Sequence, residues 1–159
     1  MKALVVYDSY FGNTEKVAHA IGQALGSPEE VEVRRASDVQ PQQLAGLDVL
    51  VVGSPTRAFQ ATRAVTQLLR RIPSQGLRGV RTAVFDTRVS IEDVGSAFLT
   101  IMVNLFGYAA EPVAKRLQRK GGELTLPPAG SVVEGTEGPL RQGELEWAAH
   151  WASQLVAPD

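Results

Sequence analysis

The 159-residue sequence contains no cysteine. Disulfides, thiolate metal centres and a cysteine nucleophile are therefore excluded, and the composition fits a reducing compartment. Histidine is nearly absent too, with only His19 and His150, so a multi-histidine metal centre is not expected. Glycine-rich nucleotide loops are missing. Between Asp8 and Thr14 stand one glycine and no lysine, which rules out both G-x-x-x-x-G-K-[ST] and the three-glycine dinucleotide fingerprint. The longest apolar stretch, Val94 to Ala110, is broken by Gly95, Ser96, Thr100, Asn104 and Gly107, and it is too short to span a bilayer. Met1-Lys2 leads directly into an apolar run, so no signal peptide is expected. The expected location is therefore cytoplasmic, and neither a membrane nor nucleic acid is an expected partner; the net charge is −1.

What is present alternates regularly. Leu4 to Tyr7 and Leu47 to Gly53 are short apolar runs, and Val80 to Asp86 is a third; each reads as a strand covered on both faces. Val31 and Val33 between Glu30, Glu32 and Arg34 give the in–out pattern of an edge strand. Ser37 to Ala45 reads as a connection of one or two helical turns. The spacing predicts helices after Thr14, over Thr62 to Ile72 (ended by Pro73), over Val113 to Arg119 and over Arg141 to Leu155. Leu124 to Leu126 begins a last strand. In the final helix Leu145, Ala148, Trp151, Ala152 and Leu155 mark a core face. Strands alternating with helices imply an α/β three-layer sandwich around a parallel sheet, and residues 1–159 read as a single domain of ordinary size.

The chemistry concentrates where the first strand meets the first helix. Ser9 and Thr14 offer hydroxyls, Asn13 an amide, and Gly12 lets the main chain approach a ligand. Val17, Ala18, Ile21 and Leu25 recur at helical spacing, which puts the loop on a helix N-terminus. Unpaired N–H groups and the positive end of the helix dipole make that an anion site. Its donors are neutral and suit one terminal phosphate.

Ser9-x-x-Gly12-Asn13-Thr14 after a Val-Val-Tyr strand resembles the phosphate loop of flavodoxins, which hold the 5′-phosphate of FMN. Gly53-Ser54-Pro55-Thr56 resembles the second loop of flavodoxins and of the flavodoxin domains of flavo-diiron proteins, and Pro55-Thr56-Arg57 is similar to a motif of flavodoxin-like quinone reductases. The resemblance implies a five-stranded parallel sheet of order 2-1-3-4-5. Ligands then lie beyond the strand ends between strands one and three, among Asp8–Asn13, Ser54–Ala61 and Thr87–Val94. FMN would be held by Ser9, Tyr10, Phe11, Gly12, Asn13 and Thr14; by Ser54, Pro55, Thr56, Arg57, Ala58 and Phe59; and by Asp86, Thr87, Arg88 and Val89. Phe59 reads equally as a ring over the flavin and as a core aromatic. Asp8 is expected to cap its own loop and Asp86 to pair with Arg88 or a loop N–H. The third loop departs from the flavodoxin pattern, which usually has an aromatic there, since no aromatic stands between Asp86 and Phe98.

Seven arginines and one acid, Asp86, lie between Arg57 and Arg88. A guanidinium near the flavin would stabilise its reduced anion and favour two-electron behaviour. No glycine stands between Gly53 and Gly76, where flavodoxins often place one beside the flavin N5. In the segment Ile91–Ala110, Val94, Phe98, Ile101, Met102 and Leu105 share one helical face, with Leu99, Val103 and Phe106 around the other side. That segment is expected to be covered within the chain, to act as a partial lid, or to form a homodimer contact. The resemblance implies an electron carrier working with a redox partner protein or NAD(P)H, with no catalytic residue of its own. Two other readings stand beside it: an FMN-dependent NAD(P)H:quinone oxidoreductase, and a flavodoxin-fold interaction module that has lost FMN.

Overall fold

A computed structural model describes residues 1–90 and 97–157. Val94 and the side chains of Leu99, Met102, Leu105 and Phe106, singled out above on the apolar segment, lie outside the described residues.

The apolar runs form the middle of one sheet. Strand β1 (Ala3–Tyr7) is buried at every position and pairs in parallel with β3 (Val49–Pro55) on one side. On its other side lies β2 (Val31–Arg35), whose alternating exposure marks it as the edge. Strand β4 (Arg81–Val89) follows β3. It runs three residues beyond the expected end at Asp86, so Thr87, Arg88 and Val89 are strand rather than loop.

The last strand differs from expectation. It is split into β5 (Glu123–Leu124) and β6 (Ala129–Val133), both parallel to β4, against Arg81–Thr82 and Phe85–Val89 respectively. Pro127-Pro128 falls between them, and a proline has no N–H to give to a ladder. The sheet order is β2-β1-β3-β4-β5, with β6 continuing the edge on β4.

Helices cover both faces. Helix α1 (Asn13–Leu25) and helix α5 (Glu144–Ser153) pack on each other. Val17, Ile21, Trp151 and Leu155 join Val5 and Phe85 in one core. Leu145 is exposed rather than buried, because the helix starts three residues later than Arg141 and its core face begins at Ala148. Trp147 and Trp151 stack with centroids 6.5 Å apart.

On the other face, helix α2 (Arg63–Arg71) and the later helix 110–119 bury Val65, Leu68, Leu69, Val113 and Leu117 against Val52 and Val84. Each large aliphatic side chain so buried contributes about 1.5–3 kcal/mol. Helix α3 (Ala97–Phe106) ends at Gly107, whose φ of 70° is the left-handed conformation of a helix C-terminus. Helix α4 (Ala110–Arg119) then begins, with Pro112 in its first turn. Phe98 and Ile101 of α3 are 71% and 57% exposed. Among the described residues, no helix is long and apolar enough to cross a membrane.

Candidate functional site

A cavity of 260 Å³ opens at the carboxyl ends of β1, β3 and β4. It brings together twelve of the sixteen residues expected there: Ser9, Tyr10, Phe11, Asn13, Thr14, Pro55, Thr56, Arg57, Ala58, Thr87, Arg88 and Val89. Gly12, Ser54, Phe59 and Asp86 are outside its lining. Gly12 shapes the loop, with φ of 88° just before α1. Ser54 is buried, donating to the Pro55 carbonyl and accepting from the Thr62 N–H (3.0 Å each).

The first loop is held from within and from β2. The Asp8 carboxylate accepts the Ser9 N–H (2.9 Å), and the Ser9 hydroxyl accepts the Gly12 N–H (3.0 Å). Arg35, opposite Tyr7 in the sheet, donates to the Ser9 carbonyl (2.9 Å) and Asp8 (3.3 Å) and reaches Glu15 (3.4 Å). Thr14 and Thr87 join hydroxyl to hydroxyl at 2.8 Å, linking α1 to β4 in the buried floor. The Asn13 amide donates to the Glu137 carbonyl (2.9 Å), which draws the 134–140 loop over the site. The first amides of α1, at Asn13, Thr14 and Glu15, have no acceptor within the helix. Asn13 and Thr14 line the cavity, and a helix N-terminus with unpaired amides is the kind of place where anions bind.

Asp86 lies beneath the cavity, fully buried, and chelates Arg88 through Nε (2.5 Å) and Nη2 (2.7 Å). It also accepts the Ala110 N–H at 3.0 Å. Burial pushes its carboxyl above the ordinary aspartate value, opposed by Arg88, the Ala110 N–H and the Thr56 hydroxyl. The expected pairing of Asp86 with Arg88 is present, and it takes the carboxylate out of the cavity. The guanidinium of Arg88 lies 3.6 Å from the centre of the Tyr108 ring. A Cβ at Gly130 would meet that guanidinium, so a glycine opposite Asp86 gives Arg88 its room.

The second loop narrows to a two-residue turn. Arg57 and Gln60 exchange backbone hydrogen bonds of 2.9 Å in both directions. Between them Ala58 and Phe59 have φ of 47° and 66°. This pattern ordinarily favours Asn-Gly. Phe59, half-buried, lines a neighbouring cleft rather than this cavity. Thr56 is committed to the Ala109 N–H (3.1 Å). The Arg57 guanidinium lies 4.7 Å and 5.9 Å from the Tyr10 and Phe11 ring centres, and no carboxylate pairs with it among the described residues.

Sequence reasoning missed Arg35, Tyr108, Val133 and Thr136. Val133 and Thr136 line the cavity from β6 and the loop after it. Their sequence signal was the Gly-Pro turn at Gly138-Pro139, which returns the chain beside Val133. Arg35 looked like one charge of an edge strand. Its role needs the register that sets it opposite Tyr7. The described residues contain no cluster of His, Asp or Glu able to hold a metal ion.

A family model described as Flavodoxin matches residues 5–151. Among solved structures, oxidised flavodoxin 1 from Bacillus cereus superposes with a TM-score of 0.77 at 19% identity, over 98% of this chain and 97% of that one. A flavodoxin from the domain Archaea gives 0.71 at 23%, over 98% and 96%. The rubredoxin oxygen:oxidoreductase of Desulfovibrio gigas gives 0.70 at 19%, over 97% of this chain and 35% of that one. At these identities the structures testify to the fold. No curated protein sequence matches the chain. Because the family model spans nearly all of a sheet with the order β2-β1-β3-β4-β5, the chain belongs to the flavodoxin family.

Proposed function

We propose that the chain binds FMN non-covalently at the cavity beyond β1, β3 and β4 and exchanges electrons with a redox partner protein. The observation that carries this reading is the α1 N-terminus at the cavity. Free α1 amides at Asn13, Thr14 and Glu15 lie beside a loop whose shape is set by Gly12 and braced by Asp8 and Arg35. The donor set suits a phosphate monoester with neutral, directional groups, and Tyr10, Phe11, Pro55 and Val89 in the lining offer apolar surface to a ring.

When bound, FMN supplies the electron chemistry; the residues hold and tune it. The α1 amides bind the phosphate and fix its depth. Tyr10 and Phe11, both exposed at the rim, supply the rings that the third segment lacks. Pro55 and Val89 line the same cavity and exclude water. Arg88 is neutralised by Asp86, so Arg57 is the guanidinium that lends the rim net positive charge, stabilising an anionic reduced cofactor.

A second reading, an FMN-dependent NAD(P)H:quinone oxidoreductase, draws on the Arg57 charge at the rim. The visible spectrum of the purified protein, with quenching of FMN fluorescence on titration, tests the first reading. A flavin spectrum or micromolar quenching is expected, and neither colour nor quenching would leave the interaction-module reading in its place. Quinone-dependent NAD(P)H oxidation by the FMN-loaded protein would move the assignment to the enzyme.

A further inference from the structure

Next to the flavin cavity, on the far side of the Arg57–Gln60 turn, lies a larger cleft of 620 Å³ between α2 and α4. Its apolar lining includes Phe59, Leu69, Pro112 and Val113, and Arg70 and Arg116 line it too. Neither arginine pairs with a carboxylate among the described residues. A concavity of a few hundred cubic ångströms that offers both apolar walls and charged groups has the makeup of a small-molecule site.

Three observations narrow the ligand. The first is charge. Helices α2 and α4 carry Arg63, Arg70, Arg71, Lys115, Arg116 and Arg119 against one acid, Glu111, a field that gathers anions at this face. The second is shape. Phe59 is presented to the cleft by a turn whose two central residues, Ala58 and Phe59, are both left-handed without being glycine. Strain of this kind persists where surrounding structure holds it, and it clusters at ligand contacts. The third is position. The cleft and the flavin cavity share Ala58 and are separated by that one turn.

We propose that this cleft is a second small-molecule site that takes a flat aromatic anion, with its carboxylate or phosphate between Arg70 and Arg116 and its ring against Phe59. The assignment goes beyond the flavin reading and does not depend on it, because no lining residue except Ala58 is shared.

The test uses naphthalene-2-carboxylate as probe, followed by amide chemical shifts of the full chain with and without saturating FMN. Shifts are expected at Phe59, Gln60, Thr66, Val113 and Arg116 in both states, and FMN fluorescence separately reports whether the flavin reading holds. Arg70→Gln combined with Arg116→Gln should weaken the probe about tenfold, as loss of a charge-assisted contact does. The neutral naphthalene-2-carboxamide should be weaker by a similar factor. Both arginines project from helix surfaces, so the variant folds, and its thermal unfolding confirms that. Equal affinity for carboxylate and carboxamide would overturn the assignment. So would shifts confined to Phe98 and Ile101, shifts at Tyr10 and Thr87 that FMN abolishes, or no binding at millimolar probe.

Discussion

Breaking the Asp86–Arg88 pair from either side should have unequal consequences. Asp86 is 0% exposed, whereas the Arg88 side chain is 22% exposed and lies on the Tyr108 ring. Arg88→Met leaves a fully buried carboxylate with only the Ala110 N–H and Thr56 hydroxyl to stabilise it. That loss falls in the range of a broken buried ion pair, about 4 kcal/mol. Asp86→Asn leaves a guanidinium that can turn toward water and keeps a carbonyl oxygen for Ala110, so its cost is nearer about 2 kcal/mol. The double variant removes both charges and should recover most of the larger loss.

The pH dependence distinguishes the two further. Burial raises the Asp86 carboxyl in the folded state. Its stabilising contribution is therefore fully present below the unfolded value of about 3.9 and is lost as pH rises through the raised folded value. Removing Arg88 raises that folded value further, so Arg88→Met should lose more stability at pH 7.5 than at pH 5, while Asp86→Asn abolishes this slope. Urea unfolding of FMN-free protein at both pH values, read as midpoint at constant m, is the assay. Equal costs for the two single variants, or no growth of the Arg88→Met loss with pH, would refute the reasoning.

Other expectations follow from the same geometry. Gly130→Ala pushes a methyl into Arg88 and should cost about 1–3 kcal/mol; in the Arg88→Met background most of that cost should vanish in a double-mutant cycle. Thr14→Val strands the Thr87 hydroxyl in the buried floor and should lose about 1–2 kcal/mol in urea unfolding. If the proposed FMN binding holds, Arg57→Gln, which removes the rim charge, should make the flavin harder to reduce by on the order of 50 mV, measured by potentiometry. Phe98→Asp with Ile101→Lys touches only exposed positions and should change stability by less than about 0.5 kcal/mol. If the Ile91–Ala110 segment forms a homodimer contact, sedimentation of that variant should show monomer where the parent chain associates.

Local signals determined most of the architecture. Continuous apolar runs at Leu4–Tyr7, Leu47–Gly53 and Val80–Asp86 fit strands covered on both faces, and the alternation at Val31–Arg34 fits an edge; both are what the sheet shows. The helix period after Thr14, with Gly12 before it, put the expected anion loop at the end of β1, where Ser9, Asn13 and Thr14 do line the cavity. What tertiary structure alone decided is everything that depends on register. Arg35 meets Asp8 and Ser9 because parallel pairing sets it opposite Tyr7. The break at Pro127-Pro128 still ends in a strand, because β4 runs on to Val89 and offers β6 a ladder. Asp86 left the cavity because its nearest charge partner is two residues away on its own strand, and burial there without that partner would cost too much. Phe59 lines the neighbouring cleft from a two-residue turn closed between Arg57 and Gln60. Sequence spacing states which residues can share an element; which charges neutralise each other, and which ring faces which cleft, follow only once the strands are side by side.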